Sequence, residues 1–299
     1  GWQAAATGDL ATATGNNAVA SGANSTATGR AATASGANSS AVGQGATASA
    51  QNSTATGQGA TASGVASTAN GQGARASSVN STAIGQGAVA SDEDALAAGQ
   101  GAQATGFHST AVGTQSVASG RGATASGWQA RATGALSNAF GNSAVASGEN
   151  STAVGRAATA SGANSVALGN GATAAGSNSV ALGNNSTTGD RANTVSVGSA
   201  GAERTISNVA AGTARTDAVN FGQFTDGLTD LRTYVDRRFF EQDERIDKLG
   251  AMNAAMSTML ASAAGIQKEN RLAAGVGFSG GESAFAIGYQ RQISERATF

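Results

Sequence analysis

Small residues recur with a period of fourteen along residues 1–190. Glycine occupies every fourteenth position from Gly1 to Gly183, and in each turn an alanine stands two residues before this framework glycine. A second glycine recurs about half a period away, first at Gly8, with its own alanine two residues before it. Each period therefore holds two short segments in which small and variable residues alternate, and this pattern predicts two short strands per turn of a coil. So many glycines disfavour a helix, at a cost of about 1 kcal/mol each.

The two alanine columns predict the interior of the coil. Because they are uniform while their neighbours vary, we expect the alanines to face a tight space between two closely spaced sheets of a flattened β-roll. The residues beside the first alanine column then point outward, and many of them are apolar: Ile84, Val112, Phe140, Val154, Val166, Leu168, Val180 and Leu182. Those beside the second column are mostly Thr and Ser, so we expect a partner to cover the more apolar outer face.

Asparagine recurs just before a serine of the repeat, at Asn24, Asn38, Asn52, Asn80, Asn150, Asn164 and Asn178. We interpret it as a tight-turn residue, because asparagine tolerates the left-handed backbone conformation. His108 is the single histidine and occupies the same slot. We interpret it as a turn substitute rather than a metal ligand.

A helical period replaces the repeat further along the chain. From Asp217 to Ala264, apolar residues recur at three- and four-residue spacing with charged residues between them, which predicts an amphipathic helix. An apolar stripe of this length, with no second helix in the chain to cover it, favours a self-associating coiled coil. An internal globular core is the alternative.

Beyond Gly265 the period becomes two. In residues 271–291, large apolar residues alternate with alanine and glycine on both sides of a turn at Gly280 and Gly281, which predicts a hairpin with one apolar and one very small face. A membrane β-barrel presents apolar residues to lipid, and small lumen residues suit a lumen filled by the alanine-rich helix upstream. Since two strands cannot close a barrel, several chains must contribute.

Composition and charge exclude several classes of function. The chain has 299 residues with 44 Gly, no Pro and no Cys, and much of its 40% apolar fraction is alanine, so a single copy buries little apolar surface. The net charge of −1 gives no basis for nucleic-acid binding, and one histidine among repeating serines gives none for catalysis. We therefore expect no enzyme activity and no cofactor or metal.

Only 11 of the 35 charged residues precede residue 191, which predicts a domain boundary near residue 190.

Four stretches resemble, in order, the parts of a trimeric autotransporter adhesin of the YadA-like family from Gram-negative bacteria. They are the repeat with NSVALG at 164–169 and 178–183, AAGTARTDAVNFGQF at 210–224, the helical stretch that follows, and GESAFAIGYQ at 281–290.

The resemblance implies a mainly β homotrimer with four parts. They are a left-handed parallel β-roll head at 1–190, a neck at 191–224, an α-helical trimeric coiled-coil stalk and lumen helix at 225–264, and the start of a trimeric outer-membrane β-barrel anchor at 265–299. The sequence begins inside a repeat, with no signal peptide, and ends near the start of a third anchor strand. We therefore expect it to be truncated at both ends, and its partial anchor not to close a full barrel.

The family's collagen-binding pattern, NSVAxGxxS, supplies candidate ligand-binding residues by resemblance. It falls on Asn178, Ser179, Val180, Ala181, Leu182, Gly183 and Ser186. The same residues are also explained as roll framework.

The uncovered apolar positions predict a trimer interface at Val154, Val166, Leu168, Val180, Leu182, Leu228, Leu231, Val235, Leu249 and Met256.

The predicted function is attachment of a bacterium to host extracellular matrix, cells or surfaces by multivalent contacts of a trimeric head. The resemblance places the protein at the cell surface, anchored in the outer membrane and exported by its own barrel in type V secretion. The expected partners are two further copies, a matrix protein or cell-surface receptor of the host, and the outer membrane. One alternative is an inert projecting spacer or shield for an adhesive tip that precedes the sequence. A minor alternative is ice binding, which regular threonine pairs such as Thr12 and Thr14 suggest.

Overall fold

A computed structural model of the chain describes residues 1–294 and 297–298. The chain divides into two compact units, Gly1–Thr205 and Ile206–Phe299. The first unit is a parallel β-solenoid, and the second contains one long helix and an antiparallel hairpin with a short third strand.

The solenoid is built from short strands, two in each turn. In chain order they are β1 (Ala5–Ala6), β2 (Thr12–Thr14), β3 (Val19–Ala20), β4 (Thr26–Thr28), β5 (Thr33–Ala34), β6 (Ser40–Val42), β7 (Thr47–Ala48), β8 (Thr54–Thr56), β9 (Thr61–Ala62), β10 (Thr68–Asn70), β11 (Arg75–Ala76), β12 (Thr82–Ile84), β13 (Val89–Ala90), β14 (Leu96–Ala98), β15 (Gln103–Ala104), β16 (Thr110–Val112), β17 (Val117–Ala118), β18 (Thr124–Ser126), β19 (Arg131–Ala132), β20 (Asn138–Phe140), β21 (Val145–Ala146), β22 (Thr152–Val154), β23 (Thr159–Ala160), β24 (Val166–Leu168), β25 (Thr173–Ala174), β26 (Val180–Leu182) and β27 (Val195–Ser196).

Alternate strands stack into two parallel sheets. Sheet A has 13 strands, the odd-numbered ones from β1 to β25, and sheet B has 14, the even-numbered ones from β2 to β26 followed by β27. The register places each residue beside the one fourteen positions later, for example Ala34 beside Ala48 in sheet A and Ala27 beside Ala41 in sheet B. The predicted β-roll with a fourteen-residue repeat is confirmed.

The interior between the two sheets accepts only small side chains. From Ala20 to Ala181, the alanines of both predicted columns have 0% exposure. Further alanines and the serines that follow the recurring asparagines are buried beside them, for example Ser165 and Ser179. Each buried carbon contributes only about 0.8 kcal/mol, so the roll gains its stability by repetition. The prediction that the alanines lie between two close sheets is confirmed.

The sheets are joined at two edges. The glutamine edge is the corner that follows each sheet B strand, as at residues 43–45, and the asparagine edge is the corner that follows each sheet A strand, as at residues 36–38. The third residue of each corner has a left-handed backbone, with φ of 68° at Gly45 and 56° at Asn38. Asparagine adopts this conformation more readily than most residues, so the interpretation of the recurring asparagines as turn residues is confirmed.

The framework glycines lie at the start of the glutamine edge. From Gly15 to Gly183 their φ angles run from 109° to 139°, a region that side chains disfavour. A Cβ added to Gly85 would lie 2.5 Å from the carbonyl oxygen of Gly99 in the next turn. The backbone conformation and the close stacking of turns both require glycine, which explains why this column has no exception.

The roll continues past the boundary predicted at residue 190. Strand β27 adds to sheet B with Val195 beside Val180, one residue more than the usual offset. The Arg204 guanidinium then lies against the last turn, where Nη1 donates to Ser186 Oγ at 2.8 Å and Nη2 to Asn184 O at 2.6 Å. Arg204 thus satisfies polar groups at the end of the stack, and the compact unit ends at Thr205.

The second unit contains helix α1, Phe221–Ala264, which is 44 residues long and about 66 Å in length. It begins four residues later than Asp217, because Asn220 forms a capping box with Gln223. The Asp217 carboxylate accepts the backbone N–H groups of Thr213 and Ala214, at 2.9 and 2.8 Å. Among the described residues, no helix combines the length and the apolar character needed to cross a membrane.

The hairpin consists of β28 (Asn270–Ser279) and β29 (Glu282–Ser294), and β30 (Ala297–Thr298) pairs with β29. Its small face packs on α1: a Cβ added to Gly277 would lie 2.2 Å from Ala251 O. Its other face is exposed, with Phe278 at 74% and Phe285 at 65%. The prediction of a hairpin with an apolar face and a small face against the helix is confirmed.

The stacked glycines give a first testable prediction. Gly85→Ala introduces both a disfavoured φ and a clash with the next turn, so we expect it to destabilise the roll by about 3 kcal/mol or more. Gly87→Ala in the same turn is the matched control, because a Cβ there meets nothing within 4 Å and alanine already occupies this slot at Ala31. Thermal unfolding followed by circular dichroism measures both. Equal losses of stability would contradict this account of the framework glycine.

The turn before α1 gives a prediction about pH. The N–H groups of Ala214 and Thr213, in that order, hold the pKa of Asp217 below its usual value. A lowered pKa in the folded state stabilises the turn above the unfolded pKa of about 3.9, and this contribution is lost as the pH falls through the lowered value. In the wild type, we expect the protection of residues 206–220 from hydrogen–deuterium exchange to fall as the pH is lowered through the pKa of Asp217. In Asp217→Asn, which has no carboxylate to titrate, we expect the protection to be low throughout this pH range. Protection in Asp217→Asn that still falls with acid would assign the effect to another group.

Candidate adhesive surface

The outer face of sheet B carries the larger apolar side chains. Phe140, Val154, Leu168 and Leu182 stack in register over the last four turns, and we call this set the apolar column. Leu168 and Leu182 are 43% and 44% exposed. The predicted difference between the two outer faces is therefore present.

The outer face of sheet A is more polar. Its strands show threonine, valine and an occasional longer side chain in the slot before the buried alanine, as in Thr33, Val89 and Arg131, and serine or threonine commonly follows that alanine. Arg75 and Arg131 are exposed on this face. A flat surface of hydroxyl groups with few charges can make many weak polar contacts with a ligand.

The glutamine edge carries a ladder of side-chain amides. Gln58 donates from Nε2 to Gln44 Oε1 at 3.3 Å, and the pattern continues through Gln72 and Gln86 to Gln100 at 2.9–3.1 Å. All five side chains are exposed. Each amide uses part of its hydrogen-bonding capacity within the ladder, so the remaining N–H and lone pair face solvent at every turn.

The asparagine edge carries a second ladder. Asn24, Asn38 and Asn52 are linked through their amides at 3.2 Å, and Asn150, Asn164, Asn178 and Asn193 are linked in the same way at 3.1–3.2 Å. These ladders align exposed amides along both edges of the roll.

His108 lies between the two asparagine ladders. It has φ of 55°, so the interpretation of His108 as a turn substitute is confirmed. Its Nε2 lies 3.3 Å from Asp94 Oδ2, and Asp94 accepts from Asn80 Nδ2 at 2.9 Å. Its ring stacks on Phe107 with centroids 3.9 Å apart. The described residues contain no group of three or more His, Cys, Asp or Glu that could hold a metal ion.

The residues of the collagen-type pattern are divided between surface and interior. Ser179, Ala181 and Ser186 have 0% exposure, and the two serine hydroxyls donate to the carbonyls of Gly176 and Leu182. Gly183 is a framework glycine with φ of 109°. Asn178 and Leu182 are exposed and Val180 is half-buried, so a ligand can reach only these last three side chains directly.

The residues predicted to form a trimer interface all keep exposed surface in the single chain. Val154, Val166 and Val180 are half-buried on sheet B beside the exposed Leu168 and Leu182. On α1, Leu228, Leu231, Val235, Leu249 and Met256 are between 37% and 57% exposed. Their packing between copies stays a prediction.

Some contributors to this surface escaped the sequence analysis. The serines after the recurring asparagines lie inside the roll because a hydroxymethyl group fits the alanine-sized space, and the hydroxyl of Ser165, for example, donates to the carbonyl of Gly162. The glutamine ladder was also missed, although the recurrence of Gly-Gln-Gly at fourteen-residue spacing was a visible signal.

Comparisons with known proteins agree with this architecture. The profile described as YadA head domain repeat (2 copies) matches residues 6–32, 34–60, 62–87, 76–102, 104–130, 132–158 and 160–186. The profile described as coiled stalk of trimeric autotransporter adhesin matches residues 205–239. No curated protein sequence matches the chain.

Several solved chains match this one. Among them is the collagen-binding domain of the Yersinia adhesin YadA, with 26% identity over 70% of this chain and 85% of that chain, and a TM-score of 0.25. The head-repeat matches cover more than half of the chain. The chain belongs to the YadA-like family of trimeric autotransporter adhesins.

Proposed function

We propose that this protein is a bacterial surface adhesin that attaches its cell to host extracellular matrix, cells or surfaces through many weak contacts of a trimeric head. The observation that carries the proposal is the repetition of the same exposed amides and hydroxyls turn after turn, in a chain whose head repeats match the family from residue 6 to residue 186. Linked weak sites raise the effective concentration for each further contact. The proposal therefore needs no deep ligand pocket and no catalytic step.

The apolar column supports trimer formation. The exposed Phe140, Leu168 and Leu182 and the half-buried Val154 present apolar surface to water over four successive turns, and covering that surface is favourable. The exposed stripe on α1 has the same consequence, because a coiled coil buries such a stripe between copies. We propose that three copies cover both surfaces, which leaves sheet A and the amide edges for ligands.

The second unit supports anchoring in an outer membrane. One face of the hairpin exposes large apolar residues such as Phe278 and Ile287, and the other packs on α1. This is the arrangement expected of a barrel wall with lipid outside and a helix inside. We propose that hairpins from three chains, with the further strands that a barrel requires, form the anchor used for type V secretion.

The collagen-type pattern and the trimer interface compete for one side chain. Leu182 belongs to the apolar column, and a side chain covered by another copy cannot also contact collagen. Asn178 lies on the asparagine edge and is exposed. We propose that any collagen contact in this region involves the edge amides, with Ser179, Ala181 and Ser186 acting as framework.

The glutamine ladder allows adhesion to be distinguished from a spacer role. Replacing Gln58, Gln72 and Gln86 together with alanine keeps the length of the head and removes three exposed amides. For an adhesin that uses this edge, we expect retention of the purified full chain on matrix-coated surfaces to fall several-fold. The loss exceeds that of three separate weak contacts, because each bound site raises the effective concentration for the next. Deleting residues 58–71 instead shortens the roll by one turn, about 4.8 Å. Loss of adhesion on deletion but not on substitution would favour a spacer.

The two NSVALG segments provide a matched test of collagen binding. Asn178→Ala and Asn164→Ala remove equivalent exposed amides, but only the first belongs to a complete NSVAxGxxS pattern. Because Ser186, which completes that pattern, is buried, we expect the two variants to weaken collagen binding to the same extent, by two- to fivefold. This is measured by surface plasmon resonance on immobilised collagen. A loss confined to Asn178→Ala would show that the complete pattern is recognised.

A further inference from the structure

The trimer of the proposed function, on which this inference rests, constrains which edges of the three rolls meet. Rotation about an axis parallel to the rolls places each copy against the next in a closed, head-to-tail ring. The glutamine edge of one copy then lies beside the asparagine edge of its neighbour, whichever sheet faces the axis. Rotation leaves the position along the axis unchanged, so facing residues come from the same level of the stack.

An irregular block of sequence occurs twice in the roll. Residues 1–10 read GWQAAATGDL and residues 127–136 read GWQARATGAL. These blocks contain the only two tryptophans of the chain, Trp2 and Trp128, both on the glutamine edge. Each is followed half a turn later by a leucine on the asparagine edge, Leu10 or Leu136, and no other turn has leucine in that slot.

These leucines occupy an unfavourable position for a single chain. Leu136 is 50% exposed and Trp128 is 49% exposed. Leu136 also has φ of 55°, in the left-handed region where asparagine is favoured and leucine is not. Gly122, one turn earlier, leaves space for it: a Cβ on Gly122 would lie 2.8 Å from Leu136 Cδ2. The chain thus places an apolar side chain where neither solvent nor the backbone favours it.

Contact within one chain does not explain the pairing of tryptophan with leucine. Trp128 and Leu136 lie on opposite edges of the roll, with strand β19 between them, and a crossing of this length separates them by roughly 20 Å. In the ring, by contrast, Trp128 of one copy faces Leu136 of the next at nearly the same level, since half a turn corresponds to about 2.4 Å along the stack.

We propose that Trp128 of one copy packs on Leu136 of the neighbouring copy, and that Trp2 and Leu10 make the same contact at the first turn. A tryptophan ring buried against an aliphatic side chain at an interface is a common source of binding energy. Six such contacts, two at each of the three seams, join neighbouring edges at these two levels and leave the edge amides of the other turns open to ligand.

The charges of the roll are distributed in agreement with this seam. All acidic residues of residues 1–186 lie on the asparagine edge, namely Asp9, Asp92, Glu93, Asp94 and Glu149. The asparagine edge also carries Arg121, whereas the glutamine edge has Arg30 and Arg156 and no acid. Arg156 is half a turn from the level of Glu149, and both side chains are exposed. Opposite charges on facing edges favour association of copies in this orientation.

Cysteine cross-linking tests the seam directly, because the natural chain has no cysteine. The variant W128C/L136C, as the full chain in detergent, is treated with a short bis-maleimide. We expect covalent trimers on a denaturing gel, because each of the three seams receives one link. The matched control is W128C/N80C, in which Asn80 occupies the same corner slot four turns from Leu136, about 19 Å along the stack, and only monomers are expected.

Light scattering on the same samples separates the possible failures. A trimeric mass without cross-links in W128C/L136C would overturn the seam and leave the trimer intact. A monomeric mass would overturn the trimer on which the seam rests. Equal cross-linking of the control would show that the link does not depend on level and would overturn the assigned register.

Charge reversal gives an independent test on the same trimer. We expect R156E and E149R each to lower the midpoint of thermal dissociation by a few degrees, and R156E/E149R to restore it. R30E is the control, because the residues level with Arg30 on the facing edge are the uncharged Ala23 and Ala37. We expect the midpoint of thermal dissociation of R30E to equal that of the wild type. Failure of the double variant to recover, or an equal effect of R30E, would overturn the pairing of Arg156 with Glu149.

Discussion

The close stacking of each turn on the next is the constraint on which the rest of the head depends. At the glutamine edge, each framework glycine lies close to the backbone of the following turn. A Cβ added to Gly85, for example, would lie 2.5 Å from the carbonyl oxygen of Gly99. Between the sheets, only a methyl or hydroxymethyl group fits. Variation is therefore confined to the slots that point outward, and any recognition of a ligand must be located there.

The same constraint determines how much of the fold could be predicted from the sequence. Glycine and alanine columns are visible because the forces that require them act within one turn and repeat in every turn. The buried serines were not predicted, since serine is common on surfaces and only the stacked geometry places Ser165 beside an alanine. Arg204 was missed because it acts once, at the end of the stack, where no repeat exists to compare it with. The start of α1 at Phe221 was marked by Asn220 and Gln223, a capping signal present in the sequence.

Close backbone approach also organises the second unit, where strand β28 packs on helix α1. Gly275 and Gly277 let a strand lie directly on α1, where Ala251 and Ala255 are 1% exposed. The large side chains are thereby directed to the opposite face of the hairpin. In both units, small residues mark where backbones meet, and large apolar residues lie on exposed outer faces. The sequence therefore predicted which residues face inward and which face outward in both units.

A regular solenoid poses a problem of register for any assembly of copies. If every turn were identical, two rolls could slip past each other by one turn, about 4.8 Å, and recover nearly all of their contacts. The glycine and alanine columns cannot prevent this, because they are uniform by necessity. Only irregular outward slots can distinguish one level from another, and Trp128, Leu136, Glu149 and Arg156 are such slots. Departures from the repeat are therefore the residues most suited to align three copies, while the repeated amides remain suited to many equivalent weak contacts.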